Sequence, residues 1–179
     1  GADSNLTTSM KSVGETMSIG RSFSESIEKG FASLEYGFDG LDTPKNITLK
    51  KTSVLNELKK QTSQRLLLVG ESLRLGIKKE KIHKITKYDP WFIEEISEII
   101  KCERILLKNK KLDKQTLLFI KSKGFSDKKI ARLRKVKEVT IRRLRHKLKI
   151  SPVFRLVDTC AGEFNSKTPY LYSTYDWNF

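Results

Sequence analysis

Behind Ser22 and Glu25, the apolar residues Ile27, Phe31 and Leu34 recur at helical spacing. Ser-x-x-Glu is the pattern of a capping box, so a helix is expected from there to about Tyr36. Gly37, Gly40 and Pro44 interrupt the pattern and predict a linker over residues 37–48. Leu55 and Leu58 then mark a short amphipathic helix. Leu66, Leu67, Val69 and Leu73 mark another, closed by Gly76. Asp89-Pro90 is the sharpest start signal in the chain, a carboxylate cap followed by a residue with no amide to satisfy. Phe92, Ile93, Ile96, Ile99, Ile100 and Leu107 follow on one face, which predicts the longest helix. Beyond Pro152 helical spacing fails, and Phe154 to Asp158 and Tyr170 to Tyr172 read as extended. The last dozen residues are expected to be loose.

Laying Gly76 to Ile96 over Gly124 to Leu144 without gaps pairs Ile77 with Phe125, Ile82 with Ile130 and Ile85 with Leu133. Tyr88, Trp91, Ile93 and Ile96 fall on Val136, Val139, Ile141 and Leu144. Each copy is preceded by a Leu-Leu helix, Leu66-Leu67 and Leu117-Leu118. Two helical units of one design follow, so the fold class expected is all-α and multihelical, with extended segments at the C-terminal end. The borders expected are residues 49–108 and 109–151 for the two helical subdomains, and 152–179 for an extended junction.

With 37% hydrophobic and 9% aromatic residues, the 179-residue chain can bury one respectable core or two small ones. No apolar run reaches the roughly 18 residues of a membrane span and no signal peptide is visible, so a cytoplasmic piece without membrane contact is expected. Cys102 and Cys160 lack partners at metal-site or disulfide spacing and read as reduced, mostly buried thiols. The net charge of +15 sits wholly in Lys101 to Lys149, where 19 basic residues face 4 acidic ones.

Such a cluster raises nucleic-acid binding as an alternative function, through a helix-turn-helix of Ser126–Lys135 and Glu138–Lys149 with Arg142, Arg143, Arg145 and Lys147 on its second helix. The turn Lys135-Val136-Lys137 has no glycine, and the repeat places Asp89, Glu94 and Glu95 at the matching sites, so the shared frame reads as packing and disfavours nucleic acid. Glu94, Glu95 and Glu98 have no histidine beside them and read as a salt-bridged face. His83 and His146 stand singly, as surface or boundary residues. No phosphate-loop pattern is present. Tyr170, Tyr172, Tyr175 and Trp177 read as contacts to a neighbouring domain.

Four separated motifs share one family. The tail Arg155-Leu156-Val157-Asp158-Thr159-Cys160-Ala161-Gly162-Glu163-Phe164, with Thr168-Pro169-Tyr170-Leu171-Tyr172-Ser173-Thr174-Tyr175, resembles the junction between the two synthetic halves of the carbamoyl-phosphate synthetase large subunit. Gly1-Ala2-Asp3-Ser4 and Leu6 to Glu15 resemble the close of its first ATP-grasp unit. Asp89-Pro90-Trp91-Phe92 and Gly124-Phe125-Ser126-Asp127 resemble words of its oligomerisation domain. The resemblance makes residues 1–36 a remnant of the ATP-grasp unit. It implies a non-catalytic scaffold with no cofactor or metal of its own, cut from an ATP-driven ligase that uses ATP with Mg or Mn. That parent makes carbamoyl phosphate, for arginine and pyrimidine synthesis, from bicarbonate, glutamine-derived ammonia and two ATP. The partners implied are the rest of the large subunit, the glutaminase small subunit and a second copy of the chain; the apolar positions of the first subdomain, Leu55, Leu58 and their neighbours, are the contacts expected for that copy. Lys11 and Glu15 either steady the first active site from its edge or form a buried structural pair. Family-motif residues with structural roles are Asp89, Pro90, Trp91, Phe92, Gly124, Phe125, Asp158, Thr159, Cys160, Glu163 and Phe164. The lysine density of residues 101–149 exceeds what the family leads one to expect, from base composition in the source or from an acidic partner.

Overall fold

The computed structural model describes residues 7–10, 16–109, 111–165 and 169–175. Lys11, Glu15 and Trp177, with Gly1 to Leu6 and Thr168, lie outside the described residues. Eight helices precede a small two-stranded sheet: α1 Phe23–Ser33, α2 Lys51–Leu58, α3 Arg65–Arg74, α4 Lys79–Thr86, α5 Pro90–Lys108, α6 Lys114–Ser122, α7 Asp127–Leu133, α8 Glu138–Lys147, β1 Val153–Leu156 and β2 Leu171–Thr174. The multihelical class expected from the periodicity is the one observed.

Local chemistry sets the helix starts. The Ser22 hydroxyl accepts from the Glu25 amide at 3.2 Å, while the Glu25 carboxylate reaches back to the Arg21 amide at 2.8 Å. Asp89 accepts from Trp91 at 2.8 Å with Pro90 at the first helical position, and the 19-residue α5 is the longest helix. Asp113 and Ser126 cap α6 and α7 in the same way. Helix α1 stops at Ser33, short of Tyr36, because Glu35 turns into the left-handed region at φ 56°.

The central strut is α5, with α1, α3, α4 and α7 packed around it. Ile93, Ile96, Ile99 and Leu106 face the core, each burial contributing roughly 1.5–3 kcal/mol. Phe92 and Leu107, expected on that face, are 43% and 63% exposed, because the drift of the helical period carries both ends of the stripe past its edge. The repeat is geometric as well as sequential. Helices α4 and α7, and α5 and α8, begin 48 residues apart, and the left-handed turns Gly76 and Lys87 recur as Gly124 and Lys135. Lysine takes the turn after α7, so the missing glycine did not prevent it. Both units contribute to one hydrophobic cluster. The expected linker adds Leu41 to that cluster, and α1 is packed into it, so a border at residue 36 separates no two cores.

Strands β1 and β2 pair antiparallel, Val153 with Thr174 through Leu156 with Leu171. This pairing orders Leu171–Thr174, within the stretch expected to be loose. Thr174 on the inner face is buried, whereas Phe154 on the outer face is 70% exposed. Cys102 is buried, and burial pushes its thiol up to about 12. Cys160 is half-exposed, because it sits in the turns after β1 rather than on a packed element.

Candidate functional site

Buried charge marks the inside of this molecule. Helix α1 turns Glu25 and Glu28 inward, one helical turn apart. Glu28 meets Lys129 of α7 at 2.7 Å, and both side chains are fully enclosed. Lys129 also reaches Glu103 of α5 at 3.3 Å and lies 4.4 Å from the centre of the Phe125 ring. Arg74 of α3 grips Glu103 with two parallel bonds, at 2.7 and 2.8 Å, and touches Glu71 at 3.2 Å. Its remaining donors hold the Leu41 carbonyl, while the Leu41 amide donates to Glu28 at 3.3 Å. One connected network therefore ties α1, the 37–48 segment, α3, α5 and α7.

Three carboxylates share two cations here, and the imbalance falls on Glu28. Burial raises its carboxyl to about 7, against the pull of Lys129. Its Oε2 has no hydrogen-bond partner and fills the space where Gly40 lacks a side chain; a Cβ there would stand 1.8 Å away. Glu103 behaves oppositely: burial pushes it up, but Arg74 and Lys129 outweigh burial and hold it below the usual carboxylate range.

Two smaller clusters pin the hairpin. Glu25 accepts from the Thr174 hydroxyl at 2.9 Å and pairs with Lys29 at 2.9 Å, and Lys29 donates to the Ser173 carbonyl at 2.5 Å. Asp127 pairs with Lys121 at 2.9 Å and Arg145 at 3.1 Å, and the Tyr175 ring lies 4.7 Å from the Lys121 ammonium. Tyr172 and Tyr175, expected to dock on a neighbouring domain, therefore pack on this chain's own cations.

Of the family-motif residues, Asp89 and Pro90 start α5, and Trp91 and Phe92 pack edge-on with Phe23, ring centres 5.5 and 5.4 Å away. Gly124 sits at φ 93°, where a Cβ would come within 2.8 Å of the Glu25 Cα; Phe125 beside it is buried. Asp158 accepts from the Cys160 amide at 3.0 Å, Thr159 lies against Cys160, and the Glu163 amide closes a turn on Cys160. Phe164 is exposed. Leu58, expected at an interface, is 0% exposed: it lies on the inward stripe of α2, in the chain's own core, out of reach of a second copy. Leu55 is half-buried. Sequence reading gave Glu25 only its capping role and missed Glu28, Arg74, Glu103 and Lys129. The available signal was phase, since Glu28 and Lys129 fall beside Ile27 and Ile130 on inward stripes.

The basic second helix is partly neutralised from within: Arg142 pairs with Glu138 at 2.7 Å and Arg145 with Asp127. Glu94 and Glu98 pair with Lys79 and Lys101, as a solvated face should. His83 and His146 are exposed. Among the described residues no group of three or more His, Cys, Asp or Glu could hold a metal, and no helix is long and apolar enough to cross a membrane.

Comparison with known proteins agrees with the motif order. The profile of the carbamoyl-phosphate synthetase large chain oligomerisation domain matches residues 15–149. The chain is 42% identical over 182 residues to the carbamoyl phosphate synthase large chain of Buchnera aphidicola subsp. Acyrthosiphon pisum, covering 98% of this chain and 17% of that one. It is 42% identical over 176 residues to the large chain of Pseudothermotoga lettingae, with 98% and 15% covered, and 41% identical over 179 residues to that of Synechocystis sp., with 98% and 17% covered. The chain thus spans about a sixth of the length of the curated relatives it matches. Its helical body, internal repeat and these matches together place the chain in the carbamoyl-phosphate synthetase large chain family, as a fragment built on the oligomerisation domain.

Proposed function

We propose that this chain is a rigid spacer within an ATP-dependent ligase, holding two synthetic halves at a fixed separation. The intact enzyme, on this reading, is cytoplasmic and works with a glutaminase small subunit. It phosphorylates bicarbonate in one half, takes up ammonia, and phosphorylates carbamate in the other, using two ATP with Mg or Mn. Its carbamoyl phosphate feeds arginine and pyrimidine synthesis. The fragment alone turns over neither nucleotide nor bicarbonate.

The observation that carries the proposal is the clamp between α1 and β2, Glu25 to Thr174 and Lys29 to Ser173, between residues 149 and 144 positions apart. A flexible linker of this length would let its two ends drift, whereas a packed body crossed by such bonds cannot. In a full-length large chain carrying Thr174→Val, the bicarbonate-dependent ATPase of the first half should persist while coupled synthesis of carbamoyl phosphate falls. An unchanged coupled rate would contradict the spacer role. Self-association is part of the proposal, with Leu55 as its candidate contact. Sedimentation of Leu55→Glu over a concentration series tests it, and an oligomer indistinguishable from the parent chain's removes Leu55 from the interface.

A further inference from the structure

A cavity of about 580 Å³ lies open between α3, α4 and α5. The internal repeat shows what this place holds in the other copy. Shifting by 48 residues carries Leu73, Lys79 and Ser97 onto Lys121, Asp127 and Arg145. In the second copy those three form an ion-paired cluster covered by the Tyr175 ring. In the first copy arginine is replaced by Ser97, and the space is open.

The lining is set up for an anion. Ser97 is 8% exposed, lines the cavity, and its hydroxyl is bonded to no described residue. Lys78 and Arg104, also lining it, have no carboxylate within ion-pair distance among the described residues; Arg104 uses one of its donors on the Leu73 carbonyl at 3.0 Å. The eight-residue α4 begins at the rim with no side chain capping it, so its positive end and unpaired amides face the same region. Glu80 is the one carboxylate on the lining and opposes this field. Lys79 is already committed to Glu94.

We infer that this cavity binds a phosphate group, supplied free or on a small metabolite, through Ser97, Arg104, Lys78 and the first turn of α4. A tetrahedral oxyanion takes several donors at once, which suits a hydroxyl, a guanidinium and a helix start better than a single carboxylate does.

The test is an amide NMR titration of this chain with inorganic phosphate at constant ionic strength, with acetate and chloride as parallel arms. Saturable shifts at Lys79, Glu80, Ser97 and Arg104 with phosphate, and weaker ones with acetate, are expected. Arg104→Gln, at an exposed rim position, should weaken binding about tenfold, and Ser97→Ala, which removes the buried hydroxyl donor, should weaken it as well. Glu80→Gln should tighten it. A metabolite phosphate such as glycerol 3-phosphate binding more tightly than the free ion assigns the rest of the cavity to its body; equal affinity assigns the site to the ion alone. Shifts that chloride reproduces, shifts that spread over α8, or affinity unchanged in both Arg104→Gln and Ser97→Ala overturn the inference.

Discussion

Glu28 and Lys129 are the pair on which single substitutions bear hardest, because neither has water to fall back on. A buried pair is weak evidence of net stability, since desolvation offsets much of the attraction, but removing one partner strands the other. Lys129→Met should therefore lower unfolding free energy by about 3–5 kcal/mol, and adding Glu28→Met should recover much of it, both read by urea denaturation. Acidity gives a second reading of the same residue. The folded carboxyl of Glu28 lies near 7, above its ordinary 4.5, so the folded chain binds this proton more tightly than the unfolded one. That contribution is complete below pH 4.5 and is lost as pH rises through 7. Relative to Glu28→Gln, the parent chain should lose stability across that window; a difference independent of pH would refute the assignment. Gly124→Ala combines a left-handed φ of 93° with a backbone approach of 2.8 Å, and should cost about 1–3 kcal/mol by the same measurement.

The helices divide into those whose ends sequence spells out and those that bend the rules. Caps at Ser22, Asp89 and the glycine closing α3 were readable from residue type alone, and the structure reproduces them. The Gly76 and Ile77 amides donate to the Leu73 and Ser72 carbonyls, and the same pair of hydrogen bonds recurs after α7 with Lys135 in the glycine's place, at φ 54°. Lysine is strained there, so Lys135→Gly should raise the melting point, by an amount equal to about 0.5–1 kcal/mol. The hairpin answers to its inner face. Replacing Thr174 by valine keeps the shape but deletes the donor to Glu25, so hydrogen exchange at Leu171 to Ser173 should quicken while α5 is unchanged. None of this was legible from the strand's sequence, because a partner 149 positions away leaves no periodic trace.

Across the whole molecule, the features that sequence exposed are those repeated locally: the 48-residue frame, the helical class and the family words. What it concealed is how the copies are joined. Expected borders at residues 36 and 108 cut through a single cluster, since Leu41, Glu28 and Lys129 bridge them with contacts that no spacing pattern announces. The two thiols carry this unity into a usable form. Only Cys160 meets solvent in the folded state, while Cys102 is shielded on the central strut. A slow alkylating reagent should therefore mark Cys160 at once and wait for cooperative opening before it reaches Cys102, which gives the chain a built-in clock for the lifetime of its native state.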